Sequence, residues 1–147
     1  MTRRQVIVGV GSPHGWDSLG WQVIDELAQR DLGAKLIKCE ASGLDWIEQV
    51  RPADQLTFVD ALIGPGTPGA VQRFVLTAEH LSPDQTDVSS HGFGLQYSLR
   101  LGYALRKLPA EFTLYGALPA LHSPTDIELH NSACRIADTI AAAIDLY

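Results

Sequence analysis

The sequence predicts an α/β fold, a three-layer α/β/α sandwich on a mostly parallel, twisted sheet of about five strands. Short apolar segments alternate along the chain with longer segments whose apolar residues recur at helical spacing. This order is typical of successive strand–helix–strand units. The length of 147 residues suits one domain and is sufficient to bury a core without disulfides. We therefore expect a single domain over residues 1–147.

The first half of the chain predicts three strands and two helices. The segment Gln5–Gly11 is almost continuously apolar and ends in glycine, which is typical of a strand buried on both faces. A loose capping box at Ser42 predicts the start of the second helix. In order, we predict a strand at Gln5–Gly11, a helix from Asp17 or Ser18 to about Arg30, a strand at Ala34–Cys39, a helix from Ser42 to about Val50 and a strand at Gln55–Val59.

The second half predicts an edge strand, a long helix, a last strand and a last helix. After the turn-rich segment Gly64–Gly69, the segment Ala70–Leu76 alternates apolar and polar residues. This pattern is typical of an edge strand, which can run antiparallel to the rest. Next we predict a helix at Gly92–Lys107 capped by Ser89 or Ser90, a strand at Phe112–Ala117, and a helix from Asp126 or Asn131 to Leu146.

The charge and composition exclude several classes of protein. With 17 acidic and 11 basic residues, the net charge is −6, which disfavours nucleic-acid binding through a basic face. The sequence has no apolar run of about 18 residues, so it predicts no membrane span, and its first residues lack the pattern of a secretory leader. Cys39 and Cys134 are far apart in sequence, which favours reduced thiols in a cytoplasmic protein.

The polar residues that follow the predicted strands indicate a metal site. The carboxyl ends of parallel strands meet at one edge of a sheet, where ligands commonly bind. Asp17 follows the first strand, Asp60 ends the third, and His91 precedes the long helix. Two carboxylates and an imidazole suit a borderline divalent ion such as Ni²⁺ or Zn²⁺, with positions left open for substrate or water.

Each of these residues also has an ordinary structural explanation. Asp17 can cap a helix, Asp60 can form an Asx turn, and His91 can be an exposed residue ahead of a helix. His14 and His122 are either additional ligands or loop residues. The positive partial charge of a helix start disfavours a bare cation beside Asp17. The pattern therefore predicts an exchangeable or substrate-supplied metal.

Two other chemistries have weaker signals. The segment Gly9–His14 begins like a dinucleotide-binding fingerprint, but His14 stands where the third glycine belongs. For nucleophilic catalysis, Ser89 and Ser90 are adjacent to His91, a spacing that rarely gives a working Ser–His pair, and the sequence has no GxSxG elbow. Cys39 is best explained as a buried strand residue, and Cys134, in an apolar helix, as a core residue.

The order of short motifs resembles that of the nickel–iron hydrogenase maturation endopeptidases. The likeness extends from Val6 to about Pro119 and more weakly to the end of the chain. The matching segments are the strand and loop Val6–Pro13, Asp17-Ser-Leu-Gly20, the loop Glu40–Leu44, Phe58-Val-Asp60-Ala, Pro68-Gly69, Ser90-His91-x-x-Gly94-Leu95 and Tyr115–Pro119.

The resemblance implies a site and a function. The three metal-binding residues of the family fall on Asp17, Asp60 and His91. The implied activity is removal of a short carboxyl-terminal extension from a hydrogenase large-subunit precursor after nickel insertion. The implied metal is nickel, carried by the substrate, or another divalent ion.

The chain departs from the family pattern in its first loop, where Ser12-Pro13 replaces an asparagine-containing step, and in Glu40-Ala41, which replaces Asp-Gly. Two alternatives stay open, the first because of the altered first loop and the second from another class of protein. One is a non-catalytic accessory factor of the same fold that binds the precursor or nickel, and the other is a small nucleotide-binding α/β domain.

Overall fold

The computed structural model describes residues 3–40, 43–61, 67–77 and 92–144. Within these ranges the strands are β1 (Gln5–Gly11), β2 (Lys35–Glu40), β3 (Gln55–Ala61), β4 (Val71–Thr77) and β5 (Glu111–Ala117). The α-helices are α1 (Leu19–Ala28), α2 (Gly92–Ala104) and α3 (Asp126–Ile144). Two 3₁₀ helices, at Gly15–Ser18 and Asp45–Gln49, precede α1 and β3.

The five strands form one sheet in the order β2-β1-β3-β5-β4. The pairs β1–β2, β1–β3 and β3–β5 are parallel, whereas β4 pairs antiparallel with β5 at the edge. The predicted mostly parallel sheet with an edge strand is therefore confirmed, and the edge strand is antiparallel. The crossovers between parallel strands place helices on both faces, which explains why β1 is almost entirely apolar.

Each face of the sheet has its own apolar core. Residues of β1, β3 and β5 that point to one face pack against α1 and α3, with Val23, Leu27 and Ile136 fully enclosed. The residues that alternate with them pack against α2 and the second 3₁₀ helix, where Trp46 meets Phe58 edge-on at 5.0 Å between ring centroids. These two cores make the three predicted layers.

The helix predicted from Asp17 or Ser18 to Arg30 differs from the observed one at both ends. Its first turn is a separate 3₁₀ helix, and α1 begins only at Leu19. At the other end the amides of Gln29 and Arg30 bond to carbonyls three residues back, and Asp31 adopts a positive φ of 49°. This tightening of the last turn ends the helix at Ala28.

Two further helix predictions were too long. The segment predicted as a helix from Ser42 to Val50 contains only the 3₁₀ helix Asp45–Gln49, and Ser42 itself lies outside the described residues. Helix α2 ends at Ala104, not Lys107, because Arg106 takes a left-handed φ of 59° and the Lys107 amide donates to the carbonyl of Gly102. This is a Schellman-type helix end without glycine. The predicted caps Ser89 and Ser90 lie outside the described residues.

Helix α3 begins at the earlier of its two predicted starts. Thr125 and Glu128 form a reciprocal capping box, in which each backbone amide donates to the other side chain at 3.1 Å. The hydrogen bond from the Thr125 amide, together with one from the His122 side chain, lowers the pKa of the Glu128 carboxyl. None of the described helices has both the length and the apolar composition needed to cross a lipid bilayer.

Candidate active site

The sheet has a topological switch point between β1 and β3. The chain leaves β1 to form β2 on one side and then returns to form β3 on the other. In open α/β sheets the crevice beyond the carboxyl ends of two such strands is the usual ligand site. The register pairs Gly9 with Val59, so Asp60 lies level with Val10 as the two strands reach this crevice.

Asp60 is a buried carboxylate at the end of β3. Its relative exposure is 0%, and its Oδ1 atom is shielded from solvent. Because side chains alternate along a strand, Asp60 shares the α2 face of the sheet with Phe58, while Ala61 lies on the opposite face. Asp60 is therefore enclosed beneath the carboxyl ends of β1 and β3, on the α2 side of the sheet.

Asp17 lies at the rim of the same crevice. Its side chain is exposed, whereas its backbone is fixed: the carbonyl accepts a bond of 2.9 Å from the Ser12 amide, and the amide donates to the His14 carbonyl at 3.0 Å. Gly11 packs directly on the Asp17 carbonyl and leaves no space for a Cβ. The first 3₁₀ helix also contacts β3, so the loop holds Asp17 beside the end of the strand that bears Asp60.

The capping role considered for Asp17 is wrong. The N-cap residues are His14 for the first 3₁₀ helix and Ser18 for α1, and neither cap has a side-chain hydrogen bond. Asp17 is thus an exposed acid in the middle of a short, backbone-anchored turn. This position leaves its carboxylate accessible from solvent.

His91 lies outside the described residues, so its place in the site stays a prediction. Helix α2 begins with the next residue, Gly92. The segment after α2 leads into β5 at the amino-terminal edge of the sheet, and α2 packs on the face that holds Asp60. The start of α2 is therefore directed toward the opposite edge, where β1 and β3 end.

Asp17 and Asp60 supply oxygen ligands of the kind that divalent ions accept. In the described part of the chain, the one group of three metal-binding donors within 4.8 Å of one another lies elsewhere, on α1 and α3. His14 and His122 therefore do not complete such a group with the two acids. His122 instead pairs with Glu128 at 2.8 Å, on the exposed surface.

The two cysteines differ from each other in environment. Burial, followed by the charges of Asp45 and Asp60, raises the pKa of the Cys39 thiol to about 12. Cys39 is a buried strand residue, as expected, and is unsuited to nucleophilic attack at neutral pH. Cys134 was predicted in the core, but it is partly exposed and contacts His130 at 3.5 Å. The core side of α3 is formed instead by its neighbours Ala133 and Ile136.

Two tryptophans tie the first loop to the loop that carries His122 and tie α1 to β2. The indole nitrogen of Trp16 donates to the carbonyl of His122, and that of Trp21 donates to the carbonyl of Cys39, both at 2.9 Å. Trp21 therefore has a structural role in the packing of α1. Trp16 also forms one wall of an open groove of about 190 Å³, whose other lining residues are Pro68, Gly69, Ala120, Glu128, Asn131, Ser132 and Arg135.

The structure is similar to solved hydrogenase maturation endopeptidases. The endopeptidase HybD from E. coli superimposes with a TM-score of 0.74 at 19% identity over 97% of this chain and 92% of that one. The [NiFe] hydrogenase maturation protease HycI from Thermococcus kodakarensis KOD1 superimposes with a TM-score of 0.71 at 22% identity, over 97% of this chain and 92% of that one. The hydrogenase 2 maturation peptidase from Thaumarchaeota archaeon SCGC_AB-539-E09 superimposes with a TM-score of 0.70 at 21% identity, over 99% of this chain and 100% of that one.

These likenesses concern the fold. No protein-family model matches the sequence, and no curated protein matches it significantly. The similarity extends over almost the entire chain and over almost the entire length of each of these three structures. The chain therefore has the fold of the hydrogenase maturation endopeptidases, the family that its motifs resemble.

Proposed function

We propose that this chain is an endopeptidase that removes the carboxyl-terminal extension of a nickel–iron hydrogenase large-subunit precursor after nickel insertion, in the cytoplasm. One observation carries the proposal. The two acids of the family motifs, Asp17 and Asp60, lie on neighbouring segments at the switch point of a fold shared with maturation endopeptidases. His91 is the third proposed ligand, at the start of a helix that packs on the same face as Asp60.

The two acids have different environments and therefore different proposed tasks. Asp17 is exposed, whereas Asp60 is enclosed at the end of β3. A nickel ion carried by the precursor would meet Asp17 first and Asp60 at the end of its path. Oxygen and imidazole ligands suit Ni²⁺, and a substrate metal agrees with the positive end of α1 beside Asp17, which disfavours tight binding of a free cation.

Two consequences follow from holding the precursor's metal in this crevice. The ion fixes the precursor in register, so the peptide bond that follows its metal centre is brought to the rim. Asp17, Asp60 and His91 would hold the divalent ion, which would supply polarisation of the scissile carbonyl or activation of water for peptide hydrolysis.

The groove beside Trp16 is the proposed binding site for the segment of the precursor near the cleavage point. It adjoins the loop that carries Asp17, and it combines the apolar face of an indole with the guanidinium of Arg135. Arg135 is held there by the Gly69 carbonyl at 3.3 Å and the Ser132 hydroxyl at 3.2 Å. An ordered cation beside an apolar wall suits an extended peptide with a carboxylate.

The test compares two forms of one precursor. Nickel-loaded and nickel-free large subunit are incubated separately with the purified chain, and the intact mass of the precursor is followed with time. We expect a discrete loss of mass at the carboxyl terminus of the nickel-loaded form alone. Binding of the nickel-loaded form without loss of mass would favour the accessory role, and the absence of both binding and cleavage would refute the proposal.

A further inference from the structure

A second group of metal-binding side chains lies on the outer surface between α1 and α3. Glu26 belongs to α1, and His130 and Cys134 lie one turn apart on α3. One ligand atom from each residue lies within 4.8 Å of the other two. The Nδ1 atom of His130 is 3.4 Å from Oε1 of Glu26, and its Nε2 atom is 3.5 Å from Sγ of Cys134.

A single ion would use one ring nitrogen of His130, one oxygen of Glu26 and the sulfur of Cys134. One such set of atoms lies within 4.8 Å of one another, close enough for small side-chain rotations to bring the three donors to one ion. Zinc binds sulfur at about 2.3 Å and nitrogen or oxygen at about 2.0–2.1 Å, so tetrahedral geometry places its donors about 3.3–3.7 Å apart. His130 and Cys134 share one helix face because they are four residues apart. The two helices pack against each other, and Leu27 of α1 and Ala133 of α3 belong to the same core.

The group differs from a nucleophilic triad. In a triad the acid orients the imidazole and does not contact the nucleophile. Here the Glu26 carboxylate is 3.4 Å from the imidazole, and burial, followed by the charge of Glu26, raises the pKa of the Cys134 thiol. The acid therefore lies close to the thiol as well as to the imidazole, since one donor atom of each residue is within 4.8 Å of the other two.

The surroundings permit a cation. The nearby guanidinium of Arg30 is bound to Asp138 at 2.6 Å, so its positive charge is compensated. The side chain of His130 is 61% exposed, and that of Glu26 is 18% exposed, so an ion can reach the group from solvent. The group lies in the α1–α3 layer, whereas Asp60 lies on the opposite face of the sheet.

We propose that Glu26, His130 and Cys134 form a zinc site that joins α1 to α3, with the fourth coordination position open to solvent. Binding releases the thiol proton to water, because the thiolate is the ligand. The ion links the two helices across their outer surface and stabilises the folded chain by mass action. This site is independent of the proposed function at Asp17 and Asp60.

The experiment is a titration of the metal-free chain with Co²⁺, followed by competition with Zn²⁺. We expect one equivalent of Co²⁺ to produce thiolate-to-cobalt charge transfer in the near ultraviolet and tetrahedral d–d bands in the visible, and Zn²⁺ to abolish both. Zn²⁺ is also expected to raise the thermal midpoint. Each of Cys134→Ser, His130→Gln and Glu26→Gln should lose the tetrahedral thiolate spectrum and the Zn²⁺-dependent shift in midpoint.

Two variants serve as controls. His122→Gln removes the other His–Glu pair, which lacks a thiol, and Asp60→Asn alters the crevice on the opposite face. Both should keep the full cobalt spectrum. The proposal is overturned if the wild-type chain shows no thiolate band, if any of the three ligand variants retains the spectrum, or if Asp60→Asn loses it. The readout is independent of precursor cleavage.

Discussion

The start of α1 lies directly on the carboxyl end of β3, because Gly20 contacts the carbonyl oxygen of Val59. A Cβ atom on Gly20 would lie 2.7 Å from that oxygen and within 3 Å of the backbone of Val10. Gly20 therefore lies over the two strands that border the switch point. Without a side chain at this position, α1 can approach both strands closely, and this approach sets where the loop with Asp17 meets the end of β3.

We expect Gly20→Ala to lower the free energy of unfolding by about 2–3 kcal/mol, because the methyl group meets backbone atoms that cannot move aside. The measurement is urea denaturation of the variant beside the wild-type chain. Gly102→Ala is the matched control, since its Cβ would meet the indole of Trp46 at 3.0 Å and no backbone. Because alanine favours a helix over glycine by about 1 kcal/mol, the free energy of unfolding of Gly102→Ala should stay within about 1 kcal/mol of the wild-type value. Equal stability of both variants would contradict the close contact of α1 with the strands.

A partly buried ion pair between Arg4 and Asp54 ties the start of β1 to the start of β3. Asp54 is 2% exposed and accepts bonds from Nε of Arg4 at 2.9 Å, from Nη2 of Arg4 at 2.7 Å and from the Arg51 amide at 2.7 Å. The Arg4 guanidinium, aided by that amide, holds the pKa of the Asp54 carboxyl below its usual range in spite of burial. We expect Asp54→Asn to lower the free energy of unfolding by about 2–3 kcal/mol at neutral pH, which is the usual contribution of hydrogen bonds to a charged group.

The same pair predicts a pH dependence. Because the folded-state pKa of Asp54 is lowered, its contribution is complete above the ordinary carboxyl pKa of about 4 and is lost as the pH falls through the lower folded value. The stability difference between wild type and Asp54→Asn should therefore shrink below about pH 4. Asp138→Asn is the control, because the Arg30–Asp138 pair is on the surface and should change stability by less than about 1 kcal/mol. A stability difference between the wild type and Asp54→Asn that grows as the pH falls would contradict this role of Asp54.

The two cysteines should differ in reactivity. A thiol with a pKa of about 12 is almost entirely protonated at neutral pH, and Cys39 is also shielded by burial. We expect a thiol-alkylating reagent at pH 7.5 to modify Cys134 first in the metal-free chain and Cys39 only after unfolding in urea. Mass spectrometry of the digested protein measures both rates. Modification of Cys39 in the folded chain at the rate of Cys134 would refute the assignment of Cys39 as an inert core residue.

The fold was largely predictable because its buried strands carry strong local signals. The apolar run of β1 and the alternation in β4 together indicated a mostly parallel sheet with an edge strand. Helix ends were less predictable, because the left-handed Arg106 and the 3₁₀ turn at Gly15–Ser18 depend on tertiary packing. One signal was missed: Thr125 and Glu128 have the spacing of a capping box and could have fixed the start of α3.

The positions of Asp17 and Asp60 were predictable for the same reason, whereas their role as metal ligands stays a prediction. A strand-ending Asp60 follows from the position of β3, and the motif Asp17-Ser-Leu-Gly20 marks the contact between α1 and the switch point. The group of Glu26, His130 and Cys134 was not predicted, because Cys134 was assigned to the core from the apolar composition of its helix. Four-residue spacing on α3 places His130 and Cys134 together, but only the packing of α1 against α3 brings Glu26 to them.

The most direct test of the proposed site is the rate at which nickel-loaded precursor loses its carboxyl-terminal extension with wild-type chain and with Asp17→Asn, Asp60→Asn and His91→Ala. Substitution of a residue that only supports a metal ligand costs about 10–100-fold in metal affinity or activity. We therefore expect the processing rate of each variant to fall by more than about a hundredfold while its thermal midpoint stays near that of the wild type. Asp31→Asn, at an exposed acid beyond the end of α1, should process at the wild-type rate. Wild-type processing by Asp60→Asn would contradict the proposed site.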